Sequence, residues 1–319
     1  MDVVVFGAGS LGSLVGGLLA REHAVTLVGR DPHVGTVRES GLRVGGEYDF
    51  TVRPDATTDG TGLAADLAVV TVKAFDTDAA ARTLSTGAFD AALSLQNGMG
   101  NEEALAERLD CPILAGTATY GAVLREPGLV ECTGRGEVVL GPREGGASEA
   151  ADRVGRAFST AGIQTTVADD MPRRLWEKLA VNAGINATTA LARVENGALL
   201  DGPAREVAAE AARETAGVAR AEGVELGGDE AVRAAELVAE ATAANESSMR
   251  RDVAAGRRTE VEAINGYVVA RADANAAAGT RDADDGPAGD RDVPVPVNRT
   301  LRNLLRAWED GHVDGDPRD

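Results

Sequence analysis

Residues 2–6 form a short apolar run that ends on Gly7-Ala8-Gly9-Ser10-Leu11-Gly12; helical periodicity follows over 13–21, and apolar residues return at 24–29. Strand, glycine turn, helix and strand in that order open a doubly wound parallel sheet, whose buried strands read as continuous apolar segments. Further buried strands are predicted at 67–72, 91–95 and 113–117, separated by helices rich in alanine and acidic residues. Between 119 and 140 the pattern alternates and is punctuated by Pro127-Gly128 and Gly134-Arg135-Gly136, which predicts an antiparallel meander closing one edge of the sheet. A helix at 148–160 and a strand at 163–167 complete this domain.

Strand signals stop at Asp169-Asp170-Met171-Pro172, where proline suits a helix start, and alanine-rich helical periodicity continues from there. The expected fold is therefore α/β: an N-terminal Rossmann-type doubly wound sheet over 1–168 and an all-helical C-terminal domain over 169–319. Within the second domain, 273–292 reads as an exposed acidic loop, and the tail from 309 as disordered. A chain of 319 residues accommodates two domains of about 150 residues each.

Composition narrows the function. The net charge is −19 and the pI near 4.6, a balance that resembles cytoplasmic proteins of high-salt organisms. Such a surface repels nucleic acid and anionic membranes, so neither is expected as a partner, and any anionic ligand must meet a local basic site. No apolar run reaches the ~18 residues of a membrane helix, and the chain enters its first strand without a basic, apolar leader. Cys111 and Cys132 are too few for a disulfide framework or a zinc site. His23, His33 and His312 fall in predicted loops or the tail, so histidine chemistry and a metal centre are not expected.

In the glycine turn, Gly7 permits the bend, Gly9 lets the backbone approach a pyrophosphate and Gly12 packs helix on strand. Together with Ala8, Ser10 and Leu11 they form the predicted dinucleotide site, where helix N–H groups hold the phosphates. At the end of the second strand, where an NAD-binding protein usually has an acid, stand Gly29 and Arg30. A guanidinium there suits a 2′-phosphate and favours NADP; Asp31, if turned inward, would favour NAD. Lys73 follows a predicted strand at its carboxyl end, where it is positioned to contact the cofactor. Asn97, in Gln96-Asn97-Gly98 after the next strand, is a candidate to bond either cofactor or substrate.

Lys73 and Lys178 are the only lysines, against thirty arginines, and only lysine can readily release a proton. Lys178, Asn182 and Asn186 recur at every fourth position, so they share one helical stripe that drifts about 40° per step. A polar stripe among Leu, Ala, Val and Ile is either an interhelical hydrogen-bond ladder or a groove that binds a polar substrate. Carbonyl reduction wants the groove. Charge grows on the carbonyl oxygen as hydride arrives, and an ammonium both stabilises it and delivers the proton. Lys178 is thus the candidate general acid, with Asn182 and Asn186 orienting the substrate. Ser248 and Glu260 lie twelve residues apart, which on one unbroken helix would separate them by roughly 120°, so a break near Gly256 or a cleft reached from two sides is required. Glu260 would hold Lys178 charged or accept a substrate hydroxyl.

Taken together, these residues resemble the ketopantoate reductase family along nearly the whole chain. The resemblance rests on the glycine turn, Lys73, Gln96-Asn97-Gly98-Met99-Gly100, Lys178 with its asparagines, Asn196-Gly197, Ser248-Met249, Thr259-Glu260, Ile264-Asn265-Gly266 and 296–300. It implies NADPH-dependent reduction of 2-dehydropantoate to pantoate on the way to pantothenate and coenzyme A, in a homodimer; the cytoplasmic location is expected from the composition. It also implies Lys178 as proton donor, Arg30 as reader of the phosphate, and substrate binding by Asn97, Asn182, Asn186, Asn196, Ser248 and Glu260. The alternatives are a reductase of another 2-oxo acid, with NAD as a second cofactor choice, and a non-catalytic dinucleotide-binding regulator. Ser248 and Glu260 argue against the former, because a simpler acid would leave them unpaired. A titratable amine in the stripe argues against the latter.

Overall fold

The structure, a computed structural model, describes residues 1–279 and 292–313. It divides into two compact units, one of Met1–Gln96 with Gly100–Pro172 and the other of Asn97–Met99 with Arg173–Asp319. In chain order the first unit contains β1 (Asp2–Phe6), α1 (Ser10–Leu19), β2 (Ala24–Val28), α2 (His33–Ser40), β3 (Leu42–Gly46), β4 (Phe50–Val52), β5 (Asp55–Thr57), β6 (Ala64–Val70), α3 (Thr77–Leu84), β7 (Ala88–Ser94) and α4 (Asn101–Ala106). It continues with β8 (Ile113–Ala118), β9 (Gly121–Glu126), β10 (Leu129–Gly134), β11 (Val138–Pro142), α5 (Glu149–Thr160) and β12 (Thr165–Val167).

Eight strands form the main sheet in the order β12-β11-β8-β7-β6-β1-β2-β5, parallel except where β11 runs antiparallel to β8. Successive residues of β6 and β7 point to opposite faces, and both faces are covered. Leu67, Val69, Ala91 and Leu93 join the core beneath α1 and α5, whereas Ala68, Val70 and Ala92 join a second core with Ala80, Ala81 and Leu84 of α3. Two-sided burial is why these strands read as continuous apolar runs rather than alternating ones.

The predicted meander divides between two sheets. Only β11 joins the main sheet, where it lies between β12 and β8 and leaves the edge to β12, while β9 and β10 pair with β3 and β4 in a separate sheet of order β4-β3-β10-β9. Alternation reports that a strand is covered on one face but does not name its partner. The partner strand, Leu42-Arg43-Val44-Gly45-Gly46, runs parallel to β10, and its glycines and charge hide it from a periodicity reading.

His33 also departs from expectation. It is buried at the start of α2, where its Nδ1 accepts from the Gly128 N–H at 3.0 Å and its Nε2 lies 2.9 Å from the Ser13 hydroxyl of α1. A backbone N–H can only donate, so Nδ1 is unprotonated and the proton of the neutral ring sits on Nε2, facing Ser13. Burial lowers the pKa of this imidazole.

The second unit contains α6 (Met171–Ala192) from Arg173 onward, a 3₁₀ turn (Asn196–Leu200), α7 (Gly202–Ala221), α8 (Gly228–Ala241), α9 (Ser248–Ala254), a π-helical turn (Glu262–Gly266), α10 (Tyr267–Gly279) and α11 (Pro296–His312). No strand occurs here among the described residues. Two loop assignments shrink. Residues 273–279 continue α10, because the alanines there are strong helix formers and Arg299 grips Asp273 at 2.6 Å; the stretch 280–291 lies outside the described residues. Likewise Glu309 and the residues to His312 belong to α11, with Glu309 accepting from Thr259, and 314–319 lie outside the described residues. No helix among the described residues is long and apolar enough to cross a membrane.

Candidate active site

In the first unit the glycine turn joins β1 to α1. Gly7 has φ +115°, and a Cβ there would lie 2.6 Å from the Val72 nitrogen. At Gly12 a Cβ would lie 2.2 Å from the Gly7 carbonyl oxygen and 2.4 Å from Thr71 Oγ1, so helix and turn touch backbone to backbone. Gly9 is different: the nearest atom to its Cβ position is 4.0 Å away, so its open side is a cradle that a ligand can approach. The N–H groups of Gly7 and Ala8 both donate to Val28 O and that of Gly9 to Gly7 O. Anion binding therefore falls to the first helical turn, Ser10, Leu11 and Gly12, whose N–H groups have no intrahelical acceptor. The Ser10 hydroxyl is engaged elsewhere, accepting from Leu124 N–H at 3.0 Å.

This donor set fits a dinucleotide diphosphate. Arg30, just past β2, is highly exposed and meets Asp76 at 3.4 Å, a pairing that screening leaves weak. Asp31, two residues before α2, accepts from Gly35 N–H of its first turn at 2.9 Å. Lys73 follows β6 and precedes the 3₁₀ turn Ala74–Asp76.

The sequence from 96 to 100 passes from one unit to the other. Gln96 stays in the first, donating to Val72 O and Thr77 Oγ1. Asn97 belongs to the second, fixed by its neighbours: Met99 N–H donates to Ala263 O at 3.1 Å, and Gly98, at φ +79°, sits so close that a Cβ would be 2.5 Å from that same oxygen. Only glycine tolerates both the contact and the backbone angle.

Ala263 opens onto Glu260, whose carbonyl accepts from Ala263 and Ile264 N–H. Glu260 is 6% exposed, unlike the solvated helix charge its sequence neighbourhood suggests. The required break is present: α9 ends at Ala254, Gly256 takes φ +64°, and Thr259 is pinned by two bonds to Glu309 Oε1 at 2.7 and 2.6 Å. Ser248 and Glu260 thus stand on separate elements.

On α6, Lys178 and Asn182 are half-buried and Asn186 is 6% exposed. Leu179, Ala180, Ala183 and Ala187 of the same helix enter the main helical core, and Val181 and Ile185 enter a second cluster with Leu199 and Ala208. The polar stripe runs beside these apolar flanks. Among the described residues the Asn182 and Asn186 amides are not committed to protein hydrogen bonds, unlike the rungs of an interhelical ladder, whereas Lys178 and Glu260 each carry a polar or electrostatic contact.

Asn196 has a supporting geometry. Its Nδ2 donates to Thr242 Oγ1 at 2.9 Å, its backbone N–H donates to Asn245 O, and its Oδ1 is enclosed without a hydrogen-bond partner among the described residues. It therefore holds the segment that leads into α9. Two residues absent from the sequence reading finish that job: Ser247 caps α9 through Arg250 N–H and bonds Thr189 of α6 at 2.8 Å, one turn beyond Asn186. Ser248, next to this junction, is thereby tied to the end of the stripe. A Ser-Ser pair before a helical run signals a cap, but not the hydroxyl partner across the fold.

The family described as ketopantoate reductase PanE/ApbA matches residues 3–145, and its C-terminal counterpart matches 170–309. The 2-dehydropantoate 2-reductase of Halobacterium salinarum is 48% identical over 98% of this chain and the whole of the relative. That of Archaeoglobus fulgidus is 37% identical over 97% of this chain and 98% of its own. Among solved structures, a PanE/ApbA family ketopantoate reductase from Ralstonia eutropha JMP134 superposes with a TM-score of 0.85 at 33% identity, covering 98% of this chain and 99% of that one. D-mandelate dehydrogenase in its ternary structure with NADH and anilino(oxo)acetate shares the fold, with a TM-score of 0.86 at 24% identity over 98% of this chain and all of the other. With both halves matched and relatives aligned end to end, the chain belongs to the ketopantoate reductase family.

Proposed function

We propose that this protein reduces 2-dehydropantoate to pantoate with NADPH, as a cytoplasmic homodimer supplying pantothenate and coenzyme A synthesis. The observation that carries the reading is the α6 stripe, a lysine and two uncommitted asparagine amides, in the same unit as the buried Glu260. The names of the full-length relatives support the choice of substrate.

A reduced nicotinamide bound through the glycine turn supplies the hydride. The Lys178 ammonium stabilises the charge that develops on the carbonyl oxygen and donates its proton there, leaving a neutral amine to be reprotonated from solvent. Asn182 and Asn186 orient the oxo acid through neutral hydrogen bonds, which keeps their contribution independent of pH. Glu260 accepts from the substrate hydroxyl, and Ser248, Asn97 and Asn196 complete the polar enclosure. An acid lacking that hydroxyl forgoes the hydrogen bond to Glu260, which costs recognition. Arg30 meets the 2′-phosphate of NADPH. Asp31 Oδ1 accepts from Gly35 N–H, which orients this carboxylate toward the first turn of α2.

The test is NADPH oxidation at high salt with 2-dehydropantoate, set against 2-oxo acids that lack the hydroxyl and against NADH. Lys178→Ala is expected to lower kcat by at least ~10²-fold with NADPH affinity kept, and Lys178→Arg to recover little, because a guanidinium holds its proton. Near-normal turnover in either variant rejects Lys178 as the acid. Arg30→Ala should weaken NADPH and spare NADH; equal loss of both would remove the phosphate contact.

A further inference from the structure

Asn265 is completely buried, on the π-helical turn that begins two residues after Glu260. The turn is held by the wide bond from Gly266 N–H to Val261 O, an insertion that often marks functional segments. Both protons of the Asn265 amide are used: Nδ2 donates to Ala183 O at 3.1 Å and to Asn298 Oδ1 at 2.9 Å. Ala183 lies on α6 between Asn182 and Asn186. Asn298 Nδ2 in turn donates to Ala211 O at 3.0 Å and Glu214 Oε2 at 2.8 Å, and Glu214 also accepts from the backbone N–H groups of Val297 and Asn298.

Every bond in this chain has a fixed direction. Ala183 O and Ala211 O can only accept and Glu214 accepts from N–H groups, so neither amide can flip without placing oxygen against oxygen. Four segments are thereby locked in one register: α6, the π turn, the start of α11 and α7. Among the described residues the Asn265 Oδ1 has no hydrogen-bond partner, a cost borne beside the two bonds that Nδ2 donates.

We infer that Asn265 is a positioning residue: by bonding the α6 backbone between Asn182 and Asn186, it sets where Glu260 stands relative to the Lys178 stripe. The inference rests on the proposed function, because it assigns a task to groups that the reading makes catalytic or substrate-binding. Displacements of about an ångström in such groups suffice to cost up to ~10²-fold in rate.

Asn265→Leu tests it, keeping the volume and deleting both donors. Turnover of 2-dehydropantoate by the unaltered protein comes first; its absence sinks the proposed function and leaves nothing for Asn265 to position. Given that activity, Asn265→Leu should keep a folded circular dichroism spectrum and an NADPH Kd within about twofold, yet lose at least ~10-fold in kcat. Added to Glu260→Gln, it should cost no more than about a further twofold, since both changes disable one device. An unchanged kcat with only a lower melting temperature overturns the inference, and so does a fully additive loss. If Asn265→Leu does not fold, Asn298→Leu removes one of its two anchors and should give a smaller kcat loss in a folded protein. Failure of both to fold makes the network a folding element and overturns the positioning role.

Discussion

At the scale of single residues, the glycine turn separates two jobs that one motif combines. Gly12 is confined by atoms of the fold itself, with 2.2 Å between its Cβ position and the Gly7 oxygen, whereas Gly9 faces open space. Gly12→Ala must push α1 off β1 and should cost about 1–3 kcal/mol or more of stability. Gly9→Ala should stay within about 1 kcal/mol of the parent but weaken NADPH roughly tenfold, because its methyl occupies the ligand's approach. Urea unfolding and fluorescence titration on the two variants check this; equal destabilisation of both would mean that Gly9 is also a packing glycine. The sequence motif was fully legible here, as was the Lys178 stripe, because both depend on local spacing. The commitments of individual atoms were not: the Ser10 hydroxyl accepts from Leu124 N–H, a choice that only a folded neighbour 114 residues away makes.

Among elements, His33 is a junction between α1, α2 and the β9–β10 turn, and it works only as a neutral ring. Protonating Nδ1 removes the acceptor for Gly128 N–H. Since burial lowers its folded-state pKa, the unfolded chain takes up the proton first. The stability this residue contributes is complete above its unfolded value of about 6.5 and is lost as the pH falls below that toward the folded value. His33→Gln, neutral throughout, should lower stability at pH 7.5 but flatten the decline in urea midpoint between pH 7 and 5. A variant with the same slope as the parent would show that the decline comes from other groups. No sequence periodicity announces this junction, because its three members lie at positions 13, 33 and 128. The same holds for β3, which gains its identity from pairing with β10 more than eighty residues later.

For the whole molecule, charge is the dominant variable. A net −19 opposes compaction, and the exposed Arg–carboxylate pairs are individually worth only ~0–1 kcal/mol, so self-repulsion outweighs their loss when salt screens both. The Debye length falls from about 10 Å at 0.1 M to about 3 Å at 1 M. The melting temperature should therefore rise by at least ~5 °C between 0.1 and 2 M NaCl, measured by differential scanning fluorimetry. A flat or falling profile would place the stabilising electrostatics in ion pairs instead. The high identity to a Halobacterium protein agrees with a chain built for such conditions.

What the sequence determined by itself is whatever local repetition encodes: the two-sided strands of the main sheet, the glycine turn, the run of helices after residue 171 and the alignment of Lys178, Asn182 and Asn186. Tertiary structure alone decided which sheet the alternating strands join, that Glu260 is buried, and that Asn265 and Ser247 tie their segments to α6. The reason is the range of the interactions. Backbone dihedrals and side-chain periodicity act over a few residues, whereas a buried hydrogen bond is satisfied by whichever partner folding brings within about 3 Å, and along the chain that partner can be anywhere.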